Sequence, residues 1–179
     1  MQVGGEHNNL RVAIDGRPRK LSDHSINRAA RAAQHDGAEM KIDQQQYDSV
    51  LSLATALTTA VENDNDKDYF YQYSQLEKLC EHARRAATAH PFLLESLGDF
   101  TLVDEEAIDI YQEALDLVEK LQLPEYCSSL QLAIAERYRE LGDLEAALSY
   151  ASEAQKNLTD ASEQGLREDI MAFMQSLQD

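Results

Sequence analysis

The residue types that could do chemistry are few and scattered along this chain. Asp64, Asp66 and Asp68 alternate within one short stretch, as acidic residues do at the start of an EF-hand calcium loop. Such a loop needs glycine at its sixth position and glutamate at its twelfth, and Tyr69 and Gln75 occupy those places. The spacing therefore predicts a solvated acidic loop, Asn63 to Lys67, that leads into a helix cap.

The thiol and imidazole groups do not form a metal-binding pattern either. Cys80, His82 and His90 lack the spacing of a CxxC pair or an HExxH helix. We expect Cys80 and Cys127 to be reduced core thiols, His82 to lie on the surface or in a groove, and His90 to cap the helix that begins at Pro91. Because no phosphate-binding loop or nucleophile elbow occurs, the sequence predicts no catalytic residue, no metal and no cofactor. We therefore interpret the chain as a non-enzyme.

The elements that carry these residues show helical periodicity from Ser22 to Leu177, which predicts an all-α protein. Asp43 is expected to cap one helix, with Gln46 completing a capping box, and Asp104 is expected to cap another. The predicted helices begin at Ser22, Asp43, Asp68, Pro91, Asp104, Pro124, Asp143 and Asp160.

The clearest pattern is the stretch Ser128 to Leu158, which predicts two amphipathic helices joined by a tight turn. Gly142 ends the first helix, because glycine adopts a positive φ at little cost. Asp143 caps the second helix. The predicted core-facing residues are Leu130, Ala133, Ile134, Tyr138 and Leu141 in the first helix, and Leu144, Ala147, Leu148, Ala151, Ala154 and Leu158 in the second.

The order of large and small residues in this stretch resembles a tetratricopeptide (TPR) repeat. The resemblance is carried by Ile134, Ala135, Tyr138, Gly142, Asp143, Leu144, Ala147 and Ala154. Similar residues recur 40 positions apart, as in Ala107 and Ala147, Ala114 and Ala154, or Leu93, Ala133 and Phe173, whereas a TPR unit has ~34 residues. The resemblance is good over 124–158, partial over 91–121 and 160–177, and weak over 43–90. It implies a TPR-like α-solenoid, a short superhelical array of antiparallel helical hairpins, in which Gly98 replaces an expected tyrosine.

The resemblance also implies a concave groove lined by the first helix of each unit. The groove positions are Phe92, Ser96 and Asp99 in one helix, and Ser129, Leu132, Glu136 and Arg139 in the next. Leu132 and Glu136 replace the Lys and Asn of the family's carboxylate clamp. The remaining apolar and acidic character favours a basic or apolar segment of another protein or peptide. We expect these side chains to lie off the core stripe, and the alternative is that they merely solvate one helix face.

Charge excludes some partners. The chain has 179 residues and a formal charge of −17. Residues 1–40 have six basic and five acidic side chains, a net of +1, so the remainder has −18. An acidic body repels nucleic acid and anionic membranes, and it either attracts a basic partner or keeps the protein soluble. No signal region and no run of about 18–20 apolar residues is present, which predicts a cytoplasmic protein.

The same charge difference predicts two regions. We expect residues 1–40 to be a partly disordered tail with a short helix at 22–34, and residues 41–179 to be a TPR-like repeat domain. Leu10, Val12 and Ile14 alternate before Asp15 and Gly16, a hairpin signal, but Pro18 weakens a second strand. A flexible segment is therefore favoured over a hairpin.

Several functions fit this interpretation. The leading one is non-catalytic protein binding, as a chaperone for a secreted protein or as an adaptor. The first alternative is an acidic immunity or inhibitor protein that masks a basic toxin. An alternative of another class is a helical-repeat enzyme or ligand sensor, which requires a pocket with convergent polar groups. The partner and the oligomeric state stay open.

Overall fold

The computed structural model describes residues 42–158 and 164–177, and all regular structure in these two ranges is helical. The all-α prediction is therefore confirmed for this part of the chain. The predicted tail, the helix expected at 22–34 and the cap expected at Asp160 lie outside the described residues.

Seven α-helices follow one another along the described chain. Their bounds are α1 (Gln44–Glu62), α2 (Asp66–Arg85), α3 (Pro91–Phe100), α4 (Asp104–Leu121), α5 (Cys127–Glu140), α6 (Leu144–Lys156) and α7 (Gln164–Ser176). A 3-10 turn at Pro124–Tyr126 leads into α5.

The helices pack mainly against their neighbours in sequence. The most extensive contact joins α5 to α6, followed by α3 with α4, while α1 with α2 and α4 with α5 come next. Smaller contacts join alternate helices, α1 with α3 and α5 with α7. Neighbour packing of this kind stacks the helices in chain order.

The predicted caps are partly confirmed. Asp143 accepts a hydrogen bond from the backbone N–H of Ala146 at 3.0 Å, and Asp43 accepts one from Gln46 at 3.1 Å. The reciprocal half of the capping box is not formed by the side chain of Gln46, which donates to the Thr88 hydroxyl at 3.3 Å. Asp104 was expected to be a cap, and this is wrong: it is the first helical residue of α4, behind Val103.

Four helix ends have the same backbone geometry. As predicted, Gly142 ends α5 with a φ of 80°, and the N–H of Asp143 bonds to the carbonyl of Tyr138 at 2.9 Å. Asp64, Ala87 and Gln122 adopt φ values of 51°, 54° and 56° without being glycine. Accordingly, α2 ends at Arg85, and Ala86 is its C-cap.

The interior of the molecule is centred on α3. All ten of its residues are buried, in a cluster to which α1, α2, α4 and α5 contribute. Gly98 lies against the ring of Tyr111, so close that a Cβ atom at residue 98 would come within 2.5 Å of Tyr111 Cε1. Tyr111 thus fills the space in which the resemblance expects an aromatic residue at 98.

A second cluster joins α5, α6 and α7. Ala135 and Ala147, two of the residues that carry the TPR resemblance, are both fully buried in it. Small side chains let the helix backbones approach each other, in keeping with the extensive α5–α6 contact. The other buried members are Leu132, Ala151, Ala154, Leu166, Ile170 and Phe173.

Candidate functional site

The seven residues of the predicted groove differ in accessibility. Four are buried: Phe92, Ser96, Asp99 and Leu132. Ser129 and Glu136 are half-buried and Arg139 is exposed. The groove as a binding surface stays a prediction, and only the last three residues reach the surface of the described structure.

The groove positions on α3 make interior contacts. The Phe92 ring stacks on Tyr47 of α1 with the ring centroids 5.2 Å apart, and the Ser96 hydroxyl donates to the carbonyl of Phe92 at 2.8 Å. Asp99 accepts a hydrogen bond from the Tyr111 hydroxyl at 2.8 Å. The side chains of Phe92 and Asp99 therefore join α3 to α1 and α4.

The groove positions on α5 contribute to its packing against α7. The expectation that Leu132 lies off the core stripe is wrong, because it is 1% exposed and belongs to the cluster with Ile170 and Phe173. The guanidinium of Arg139 lies 4.9 Å from the centroid of the Phe173 ring, a favourable cation–π geometry. Arg139 also donates to the Ser176 hydroxyl at 3.4 Å. Both residues therefore help to hold α7 in place.

Arg137 lies at the centre of a buried polar cluster. Its Nη1 donates to Asp104 Oδ1 at 3.0 Å, which explains why Asp104 does not cap its helix. Its Nη2 donates to the carbonyls of Gly98 at 2.9 Å and Asp99 at 3.3 Å, at the C-terminal end of α3, where a helix favours positive charge. Burial acts to lower the pKa of Arg137, but Tyr111 and Asp104 outweigh it and hold that pKa above its ordinary value. This arrangement fixes the position of the α3–α4 turn.

Two tyrosines hold the same turn from the side of α2. The Tyr69 hydroxyl donates to the carbonyl of Phe100, and the hydroxyls of Tyr73 and Thr101 are hydrogen-bonded at 2.9 Å. Burial raises the pKa of Tyr73 to about 12, so this phenol is neutral at physiological pH. These contacts join α2 to the α3–α4 turn.

The candidate thiol and imidazole groups have ordinary surroundings. Cys80 is buried and unpaired with another cysteine, and burial raises its pKa to about 12, which keeps it as the unreactive thiol. His82 is exposed, and His90 caps α3 through Nδ1, which accepts from the N–H of Phe92 at 3.2 Å, as predicted. No group of three or more His, Cys, Asp or Glu residues within 42–158 and 164–177 is placed to hold a metal ion.

The acidic stretch from Asp64 to Asp68 contains the start of α2 and its N-cap, Asn65. Asn65 Oδ1 accepts from the N–H of Asp68 at 3.2 Å, and α2 begins at Asp66, two residues before the predicted start. Asp66 and Asp68 lie in its first turn, where negative charge is favoured by the helix dipole.

A depression is present along α1, and it is shallow. Its described lining comprises Gln44, Gln45, Asp48, Ser49, Ser52 and Leu53. These described lining residues lie on one face of one helix.

The hairpin of α5 and α6 exposes three leucines that the sequence predicted to be core-facing. Leu141 is 40% exposed, Leu144 53% and Leu148 43%. We call these three residues the leucine surface. Their predicted burial is wrong because the buried residues of α6 are the alanines at 147, 151 and 154, whose small side chains let α6 lie close to α5. Clustered apolar side chains on a surface mark sites of interaction more often than scattered ones do.

Carboxylates lie next to the leucine surface in the sequence. Asp143 and Glu145 are exposed, and Glu140 is exposed beside Arg139, whose Nη2 lies 3.4 Å from Glu140 Oε1. A further acidic area lies between α2 and α4, where burial and then the charge of Glu106 raise the pKa of Glu77. The carboxylates beside the leucine surface and the acidic area between α2 and α4 both favour a positively charged partner.

Comparison of the chain with protein-family models, with curated proteins and with solved structures found no match. In the described ranges no helix combines the length and the apolar character that crossing a membrane requires.

The leucine surface was missed because periodicity alone does not say which neighbour covers a stripe. The repeat of 40 residues gives no signal of this exposure either, since it aligns Leu144 and Leu148 with Asp104 and Ile108, which are both buried.

Proposed function

We propose that this chain is a non-catalytic protein-binding scaffold of TPR type, a short superhelical array of hairpins that binds a basic or apolar segment of another protein. The observation that carries the proposal is the leucine surface, because three large apolar side chains on one hairpin are exposed beside the exposed acidic residues Asp143 and Glu145. Apolar anchors with an acidic rim suit a partner of opposite charge.

The tetratricopeptide assignment is supported by the α5–α6 hairpin. Its turn has Gly142 at positive φ and Asp143 as cap, and its crossing has buried Ala135 and Ala147. These are the residues on which the resemblance depends. A chaperone or an adaptor would use such a hairpin in the same way, by presenting a fixed apolar surface to a segment of the client.

The experiment is quantitative affinity capture with the full chain as bait. We expect Leu144→Gln/Leu148→Gln to lose the main captured protein, since each buried leucine contributes roughly 1.5–3 kcal/mol. The matched control is Tyr71→Gln, which removes another exposed apolar side chain, on α2, and should capture as wild type does. Equal capture by the double variant and the wild type would contradict the proposal.

A second candidate function, masking of a basic toxin by an acidic inhibitor, is favoured by the repulsion between Glu77 and Glu106. Burial and then the charge of Glu106 raise the pKa of Glu77, so a cationic side chain placed between α2 and α4 would relieve the repulsion. Under this function Glu106→Gln slows association with the captured protein and weakens its dependence on salt. An unchanged association rate would exclude this face.

A further inference from the structure

The two flanks of α6 are covered differently. Tyr150 lies on one flank, where its ring stacks on Tyr138 with centroids 5.5 Å apart and its hydroxyl accepts from Gln112 Nε2 at 3.5 Å. Leu144 and Leu148 lie on the other flank of the buried alanine stripe, one turn apart. The flank toward α4 is therefore packed, and the opposite flank is open.

The preceding hairpin shows what covers the corresponding flank. Forty residues before Leu148 is Ile108, which is 5% exposed and packs in the cluster that includes α5. Forty residues before Leu144 is Asp104, which Arg137 of α5 contacts at 3.0 Å. A following helix thus covers this flank of α4, whereas α7 packs less extensively on α6 than α5 does on α4.

Met171 on α7 shows the same feature. Its counterpart forty residues earlier, Gln131, faces the helix that follows, because Asn157 Nδ2 at the end of α6 donates to Gln131 Oε1 at 2.9 Å. Met171 is 56% exposed, so its position faces no helix among the described residues. Leu144, Leu148 and Met171 are therefore three apolar side chains at places where, one hairpin earlier, helices pack.

We propose that the open side of α6 and α7, with Leu144, Leu148 and Met171, binds one helix of a partner protein, and that this helix has an apolar stripe flanked by lysine or arginine. The inference rests on the proposed function and adds the form and chemistry of the segment. A helix is indicated because helices occupy the corresponding positions in the preceding hairpin, and because leucines one turn apart form ridges that suit helix packing.

Charge selects the partner. Glu145 and Glu168 are exposed on α6 and α7, and the chain has a formal charge of −17. A second copy of the chain would bring the same negative charge to this surface and be repelled. A helix with basic flanks would instead be attracted and oriented by the acidic residues.

The test uses a synthetic peptide of about 16 residues, with leucines at helical spacing and lysines on both flanks. The matched control peptide has the same amino-acid composition, but its proline is placed at the centre of the sequence, where it breaks the helix. Affinities of both peptides are measured by titration calorimetry for the wild-type chain and for Leu144→Gln, Met171→Gln and Tyr71→Gln. Sedimentation of the unliganded chain and titration with a peptide of residues 21–36 complete the experiment.

The expected result is that the helical peptide binds the wild-type chain and Tyr71→Gln equally, and that the proline peptide binds at least about tenfold more weakly. Leu144→Gln and Met171→Gln should each weaken binding of the helical peptide about tenfold.

Equal binding of both peptides, no binding, or no effect of Met171→Gln would overturn the inference. So would a dimer abolished by Leu144→Gln, or tighter binding of the peptide of residues 21–36, since the occupant would then be this chain itself. If capture depends on Leu144 and Leu148 but not on Met171, the proposed function stands and only this inference fails.

Discussion

At the scale of single residues, the structure is determined by close contacts and by buried charge. Gly98 leaves room for the Tyr111 ring, and Tyr111 is fixed by its hydrogen bond to Asp99 and is 1% exposed. Arg137 binds one carboxylate and two carbonyl oxygens at the adjacent turn. Both sites lie at the α3–α4 turn, and each gives a prediction about stability.

Gly98→Ala should destabilise the protein by roughly 1–3 kcal/mol, because the new Cβ has no room and overpacking strains the core. Alanine would otherwise stabilise a helix interior by about 0.5–1 kcal/mol relative to glycine, so the sign of the change is decided by the 2.5 Å approach to Tyr111 Cε1. The free energy of unfolding of Gly98→Ala and of the wild type is measured by urea denaturation. Tyr111→Leu in the same chain should recover part of the loss, and a stabilised Gly98→Ala would mean that the Tyr111 ring moves freely.

Arg137→Met should cost about 3–5 kcal/mol, because it leaves the Asp104 carboxylate buried without its cation. The Arg137 and Asp104 side chains are only 13% and 10% exposed. The matched control is Arg84→Met, whose pair with Glu113 at 2.7 Å is more exposed and should cost about 1 kcal/mol or less. Equal midpoints of denaturation for the two variants would show that burial of the Arg137 pair has no energetic consequence.

At the scale of elements, the sequence predicts the helices better than their ends. Periodicity and the caps at Asp43 and Asp143 are local signals, and both are present in the structure. The positive φ values at Asp64, Ala87 and Gln122 were not predictable, since none of these residues is the glycine that usually marks such a conformation. At Ala87 two backbone hydrogen bonds compensate for the strained φ. The N–H of Thr88 donates to the carbonyl of Ala83 at 2.9 Å, and the N–H of Ala87 donates to the carbonyl of Arg84 at 3.2 Å.

Ala87→Gly should stabilise the protein by about 0.5–1 kcal/mol, because glycine adopts the φ of 54° found at Ala87 without a Cβ clash. The melting temperatures of Ala87→Gly and of the wild-type protein are compared. Ala86→Gly is the matched control: Ala86 has a φ of −80°, which alanine tolerates, so its replacement should be neutral or destabilising. A lower melting temperature for Ala87→Gly than for wild type would contradict this account of the helix end.

At the scale of the whole molecule, the distribution of buried and exposed apolar residues was only partly predictable. The alanine stripe of α6 and the core residues Leu166, Ile170 and Phe173 of α7 follow from periodicity and are buried. The burial of Phe92, Ser96 and Asp99 did not follow, because a sequence pattern does not show that α1, α2 and α4 all pack on α3. For the same reason the exposed leucines could not be distinguished from core leucines.

Above all, we propose that the leucine surface contacts a partner, and hydrogen exchange of the captured complex can show whether it does. Exchange is compared by mass spectrometry for the chain alone and with the captured protein bound. We predict slower exchange in peptides covering 140–148 on binding, with little change in peptides covering 44–62. Slower exchange confined to another part of the chain, with 140–148 unchanged in the bound state, would contradict the claim.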